Sequence, residues 1–324
     1  MRLRLLRTAA VLAIGIQGLW TASFAQSYPD RAIRLVVPYP PGGSTDFIAR
    51  LYAEGLSREI GQAVVVDNRP GAATNIGSEA VAKAKPDGYT VLFGGGGPTL
   101  NNVFGPKPSF DPLSAMDPVS LIARVPFMVA ANPKTPFGTA QQMIAAAKAT
   151  PGKYSISSAQ LNVYVELLKA RSKVNVLHIP YKGGAQAATD AVAGQVDMVF
   201  ALVPVLLPQV QTGKLKALGV TSGKRLNKLL PNVSTFTELG VDYDIGVWYG
   251  LQAPAGTPAA ILERLKEATH KVVGQAAFVD KLAAGGAEAT SSQPAEMRKL
   301  MVDQQSVWEK LAVSAPELLL TESK

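Results

Sequence analysis

The chain has 324 residues, with 32 Lys plus Arg against 24 Asp plus Glu, a formal net charge of +8, and 47% hydrophobic against 17% charged residues. That length suits one large or two medium domains, and the composition is that of a folded, loop-rich protein. With no cysteine and only His178 and His270, thiol chemistry, disulfides and a multi-histidine metal centre are excluded, and a serine–histidine triad has little to work with.

Residues 1–25 read as a secretory signal peptide. Arg2, Arg4 and Arg7 supply the positive start, Val11 to Leu19 the apolar centre, and Ser23-Phe24-Ala25 the small-residue cleavage site. The apolar stretch is too short to span a bilayer. The expected mature chain begins at Gln26 and resides in the periplasm.

Ile33–Val37 is a short apolar run bounded by prolines and predicts a buried strand. A Gly/Pro loop, Pro38–Thr45, leads into a helix over Asp46–Ile60 that Gly61 ends. Ala63–Val66 predicts a strand, Asn75–Ala84 a helix, and Tyr89–Phe93 a strand running into Gly94–Gly97. This alternation predicts a parallel sheet covered on both faces. Val119–Ala123 and Phe127–Ala131 predict two strands separated by Pro126. Thr139 with Gln142 predicts a capping box for a helix to Ala149. Strands follow at Tyr154–Ser158 and Val174–Ile179, a helix at Ala185–Ala193, then strands at Met198–Phe200 and Leu215–Val220. Asp244–Ala253, with Trp248, predicts a long strand. Thr257 and Pro258 predict the cap and start of a helix to Val273, and Pro294–Val313 a last helix with Leu300, Val307, Trp308 and Leu311 on its apolar stripe.

Two α/β units joined by two crossing stretches predict a bilobed molecule. Ligands of open α/β sheets sit beyond the carboxyl ends of strands. Pro40-Pro41-Gly42-Gly43-Ser44-Thr45-Asp46 therefore draws attention. Glycines let a ligand approach the backbone, and the helix start offers N–H groups and a positive dipole end, which suits a carboxylate or phosphate. A tight turn capped by Ser44 or Thr45 is the plainer alternative. Neither a phosphate-loop nor a dinucleotide motif is matched. Arg69, in Asn68-Arg69-Pro70-Gly71, reads as a surface arginine or an acid-binding one. His178 reads as a packed histidine without an acidic or nucleophilic neighbour in sequence, and His270 as a surface one. Trp248 suits the lobe junction or the cleft equally. Lys214, Lys216, Lys224, Arg225 and Lys228 form a basic stretch without acids, read as a solvated face. No arginine-rich helix or aromatic–basic ribbon points to nucleic acid.

These residues together resemble the substrate-binding proteins of tripartite tricarboxylate transporters, the Bug receptors. The resemblance rests on Pro38–Asp46, Asn68–Gly71, Asn75-Ile76-Gly77, Lys85–Thr90, His178–Gly184, Gly194–Asp197, Trp248-Tyr249-Gly250 and Pro254–Pro258, in family order over nearly the whole mature chain. It implies an α/β fold of the type II periplasmic binding protein kind, two α/β lobes with a ligand cleft between them. The implied division is lobe 1 from residues 26–125 and 247–324, and lobe 2 from 126–246. It implies a receptor rather than an enzyme, binding a small organic acid for the membrane subunits of a transporter, as a monomer and without cofactor, metal or nucleic acid. The implied ligand contacts are Tyr39, Pro41, Gly42, Gly43, Ser44, Thr45, Asp46, Gly95, Gly96, Ser158, Ala159, Tyr181 and Ala201. One departure stands out. After Gly152–Ser155 the family has a Ser-Ala-Gly-x-Gly stretch and a histidine; here Ser158–Glu166 lacks both and is shorter. Val163 and Tyr164 come near the next helix start, and Ala201 stands where many relatives have Asp. A sensor without a transport role and an exported α/β hydrolase are the rivals; the latter lacks the Gly-x-Ser-x-Gly elbow.

Overall fold

Residues 28–159, 162–181, 183–316 and 318 are described in a computed structural model. Residues 1–25, read above as a signal segment, and Gln160, Leu161 and Lys182 lie outside the described residues. Ile33–Val37 (β1), Val64–Asn68 (β2) and Thr90–Gly94 (β3) pair in parallel in the order β2–β1–β3. Each feeds a helix: Ser44–Ile60 (α1), Asn75–Ala82 (α2) and Gly97–Val103 (α3). Gly61 closes α1 in the left-handed conformation, φ 75°. The α3 helix grows from what reads in the sequence as a glycine loop, with Pro98 in its first turn.

The two strands expected around Pro126 are one strand, Met116–Ala131 (β4). Up to Pro126 it pairs antiparallel with Gly246–Pro254 (β9). From Phe127 it pairs with Met198–Leu202 (β7) and Lys216–Val220 (β8). Proline has no N–H to give a ladder, and here it falls where the strand changes partners. The remaining strands, Ser155–Ala159 (β5) and Leu177–Tyr181 (β6), complete a parallel set β6–β5–β7. The sheets are thus mixed rather than purely parallel, because β4 and β9 run the opposite way to the strands beside them, β7 and β3. The overall order is β2-β1-β3-β9-β4-β7-β5-β6, with β8 and the short Glu288–Ala289 strand (β10) attached to β4.

Helices cover both faces of each half. Ile48, Tyr52 and Leu56 of α1 meet Leu265, Ala268 and Val272 of Ala259–Gly274 (α8) over the first sheet. Val81 of α2 packs on its other face. In the second half, Ala140–Ala149 (α4) and Asn162–Ser172 (α5) cover Phe127, Ile156 and Phe200. Gly184–Ala193 (α6) and Val203–Gln211 (α7) cover Met128, Val199 and Ala201. Pro204 and Pro208 hide α7 from a sequence reading, since proline in a helix interior removes a donor.

Thr139 caps α4 by accepting from the Gln142 N–H, but Gln142 returns its side chain to the Gly138 N–H rather than to Thr139. Pro258, not Thr257, is the N-cap of α8, and the Thr257 hydroxyl donates to the Pro254 carbonyl. Ala276–Ala284 (α9) precedes the last helix, Pro294–Ser314 (α10), which starts in a reciprocal box between Gln293 and Glu296. Met297 and Met301 of α10 pack on Trp248 of β9. Further along, Trp308 and Leu311 enter the core built on Phe127 and Tyr164. One helix thus belongs to the packing of both halves.

Candidate functional site

The α1 start stands at the carboxyl end of β1. Its N-cap, Gly43, has no side chain to bond the first turn, so the first N–H groups of the helix face outward without an internal cap. A Cβ on Gly42 or Gly43 would meet no atom within 4 Å, so the space over the turn is open. Gly42 has φ +85°, a conformation that favours glycine, whereas Gly43 is extended with φ −85°. The glycines therefore do different work: the first bends the chain and the second leaves room.

Asp46 holds the turn from within. Its carboxylate accepts the Gly42 N–H at 2.9 Å, Arg50 Nε at 2.9 Å and Asn68 Nδ2 at 2.9 Å. Arg50, helped by Gly42 and Asn68 and opposed by burial, holds its pKa down at about 2. Asp46 is 4% exposed, and its carboxylate is engaged in holding the turn. Because it is more acidic folded than unfolded, the unfolded chain takes the proton first and acid removes the stabilisation. Asp46→Asn is expected to destabilise by about 1.5–3 kcal/mol at neutral pH, the range for a hydrogen bond to a charged group. The difference from the parent should shrink as pH falls from about 4 toward 2, measured by urea unfolding.

Behind the turn, Thr45 Oγ1 and the Tyr249 hydroxyl share a hydrogen bond of 2.7 Å. Tyr249 stacks on Phe93 and receives the edge of Tyr39, ring centroids 6.1 Å apart. Burial pushes the Tyr249 phenol up to about 12, against the Thr45 hydrogen bond, and raises Tyr39 further. Both phenols are neutral at any ordinary pH. On α5, the Tyr164 phenol is also raised, chiefly by burial. Its ring packs against Phe127 at 4.9 Å and Trp308 at 5.1 Å.

Tyr39, Pro41, Gly42, Gly43, Ser44, Thr45 and Asp46 thus come together at one turn. Gly95 and Gly96 follow the carboxyl end of β3, the parallel neighbour of β1. A Cβ on Gly95 would strike the Trp248 carbonyl and one on Gly96 the Gln304 side chain, which itself accepts from Trp248 Nε1 at 2.9 Å. These glycines permit close packing of β3, β9 and α10, and Trp248, 3% exposed, is part of that junction. Ala159, the last residue of β5, is registered opposite Tyr181. The Tyr181 hydroxyl is already committed to Asp190 Oδ2 at 2.7 Å. Ala201 is 2% exposed within the core under α6 and α7.

His178 has the neighbours that the sequence withheld. Ser158 Oγ lies 2.8 Å from its Nε2, and Glu166 Oε1 lies 3.9 Å from its Nδ1. The set resembles a hydrolytic triad in composition but not in access. Ser158 is 0% exposed, and Glu166 engages Lys169 at 2.8 Å. Burial, with Lys169 nearby, lowers the His178 pKa to about 4, so the ring is neutral and ties β5 to β6. A cavity of about 480 Å³ opens alongside, lined by Asn162, Glu166, Lys169, His178 and Pro180 among others. It does not include the Gly42–Asp46 turn, and its main charges already pair with each other. His270 is half-buried rather than on the surface, with Nε2 at 3.0 Å from the Ser292 carbonyl. Arg69 pairs with Asp67 at 2.8 Å, and within the basic stretch Arg225 pairs with Glu238 and Lys228 with Asp280.

Two α/β halves joined through one continuous strand, β4, with an uncapped helix start beside the Tyr249 hydroxyl, define a two-lobed solute-binding protein of the periplasmic type. The model of the tripartite tricarboxylate transporter family receptor matches residues 48–315. The chain belongs to that family. It is 34% identical to protein BugT of Bordetella pertussis over 311 residues, covering 93% of this chain and 95% of BugT. Among solved structures, an R. palustris protein, Rpa4515, with adipate is 32% identical with a TM-score of 0.76, covering 89% of this chain and 98% of that one. MatC of Rhodopseudomonas palustris with bound malate is 27% identical with a TM-score of 0.71, covering 88% and 99%.

Proposed function

We propose that this chain captures a small organic carboxylate between its lobes and presents it to the membrane subunits of a tripartite tricarboxylate-type transporter, acting as a monomer and not as an enzyme. The observation that carries the reading is the uncapped α1 start with open space over Gly42 and Gly43. Backbone N–H groups and the helix dipole there match a carboxylate. The family relatives solved with adipate and malate support the ligand class. We place the division between lobes at residues 125/126 and 246/247, where β4 changes partners and β9 begins. Calorimetric titration against a panel of organic acids tests the function: micromolar or tighter binding of at least one supports it, and no binding across the panel rejects it.

The export reading rests on residues 1–25. Among the described residues no helix is long and apolar enough to cross a membrane. Protein isolated from its own cell is expected to begin at or near Gln26 by mass spectrometry, and an intact Met1 would reject cleavage.

A further inference from the structure

A ligand held between two lobes is enclosed by rotation about the segments that cross between them. Here those segments are β4 at Val125–Pro126 and the start of β9 at Gly246. Proline has no N–H to give, and the β4–β9 ladder ends at the pair of Pro126 with Gly246. The β4–β8 ladder begins at Met128, opposite Val220. Phe127 lies between the two ladders, and Ile245 is the residue from which the chain leaves lobe 2 for β9.

One residue joins them. The Thr221 hydroxyl accepts the Phe127 N–H at 2.9 Å and donates to the Ile245 carbonyl. The Thr221 backbone repeats both links. Its N–H donates to the Phe127 carbonyl at 3.0 Å, and its carbonyl accepts the Ile245 N–H at 3.1 Å. Both crossing segments are thus bonded twice to a single threonine, itself 0% exposed. The other ties between the lobes are of a different kind. Arg124 reaches the Asp244 carboxylate at 2.7 Å and its carbonyl at 3.0 Å, but both side chains are partly exposed, where water and salt screen the pair. The packing of α10 on both halves is apolar and non-directional. Ser222, next in the chain, is 3% exposed, and its hydroxyl has no partner among the described residues.

We infer that Thr221 is the positioning residue of the lobe hinge. Its hydroxyl holds Phe127 and Ile245 in one register, so that the lobes turn at the Pro126–Gly246 junction while the crossing segments stay fixed to lobe 2. The inference rests on the lobe division proposed above and on no reading of the ligand.

The chain has no cysteine, so introduced cysteines can carry spin labels in pairs. Ala145→Cys on α4 with Lys271→Cys on α8 spans the lobes, and Ala145→Cys with Gln186→Cys on α6 stays within lobe 2; all three positions are exposed. Distance distributions are measured by pulsed electron resonance without ligand. Thr221→Val keeps the shape of the side chain and removes the hydroxyl, leaving the Phe127 N–H and the Ile245 carbonyl without it. It is expected to widen the inter-lobe distribution about twofold and to leave the lobe 2 pair unchanged. Thr221→Ser keeps the hydroxyl and should return the parent width, and Ser222→Ala should match the parent. A parent-like inter-lobe width in folded Thr221→Val overturns the inference, as does equal widening of the lobe 2 pair, which would make Thr221 a support of lobe 2 alone. A lobe 2 pair already as broad as the inter-lobe pair in the parent would overturn the lobe division, and the inference with it. Should Thr221→Val fail to fold, hydrogen exchange of the parent decides. A Phe127 amide as protected as that of Val129 within β4 supports the clamp, and exchange about a hundredfold faster overturns it.

Discussion

Gly43→Val is expected to weaken carboxylate binding by at least a hundredfold while leaving the fold intact. Gly43 sits at φ −85°, ψ 175°, which valine adopts readily, and its Cβ would meet no protein atom. The branched side chain instead fills the open space over the α1 start, the proposed carboxylate site. Losing two hydrogen bonds to a charged group, each worth about 1.5–3 kcal/mol, accounts for that factor. Binding of the best organic acid by calorimetry, with circular dichroism and thermal melting of both proteins, is the measurement. Unchanged affinity in a folded variant would move the carboxylate site elsewhere. Gly42→Val is a poorer probe, because φ +85° strains any side chain and confuses binding with folding.

Trp308→Ala is expected to lower stability by about 3–5 kcal/mol, the usual range for truncating a buried large aromatic. Trp308 is 0% exposed and packs edge-on to Tyr164 at 5.1 Å. It belongs to the core that also holds Phe127 and Leu311. Because α10 reaches back to Met297 and Met301 on Trp248, the loss is felt in the alignment of the two halves as well as in one core. Denaturant unfolding should show the fall in midpoint. A change under 1 kcal/mol would mean that α10 is peripheral to the fold.

Much of the first lobe was legible because its signals are local. The apolar run of β1, the Pro-Gly turn and the α1 periodicity lie within about thirty residues and report directly on strand, turn and helix. The anion-friendly turn follows from the same stretch. Other features depend on partners far away in the chain. Pro126 breaks the apolar pattern of β4, and only the change from β9 to β7 explains why one strand continues through it. Gly95 and Gly96 read as a ligand loop, and the Trp248 carbonyl and Gln304 side chain that leave no room for a Cβ there come from distant parts of the chain. The bond between Ser158 and His178 exists because β5 and β6 are parallel neighbours, a register that no spacing within either segment reveals. Tyr164 could be noticed at a helix start, but its place between Phe127 and Trp308 needed the fold.

The continuity of β4 bears on how the receptor closes. Sixteen residues of a single strand serve both sheets, and β9 runs antiparallel beside it until Pro126 meets Gly246. A side chain on Gly246 would press on the Val125 carbonyl at 2.8 Å, so the two backbones touch at the junction. A pair of strands held this way resists shear and separation but bends across its own plane, so the lobes share essentially one axis of rotation. There is no loose tether whose many orientations must be lost on capture. The binding free energy of a ligand held between the lobes would then go to a single bending coordinate rather than to ordering a tether.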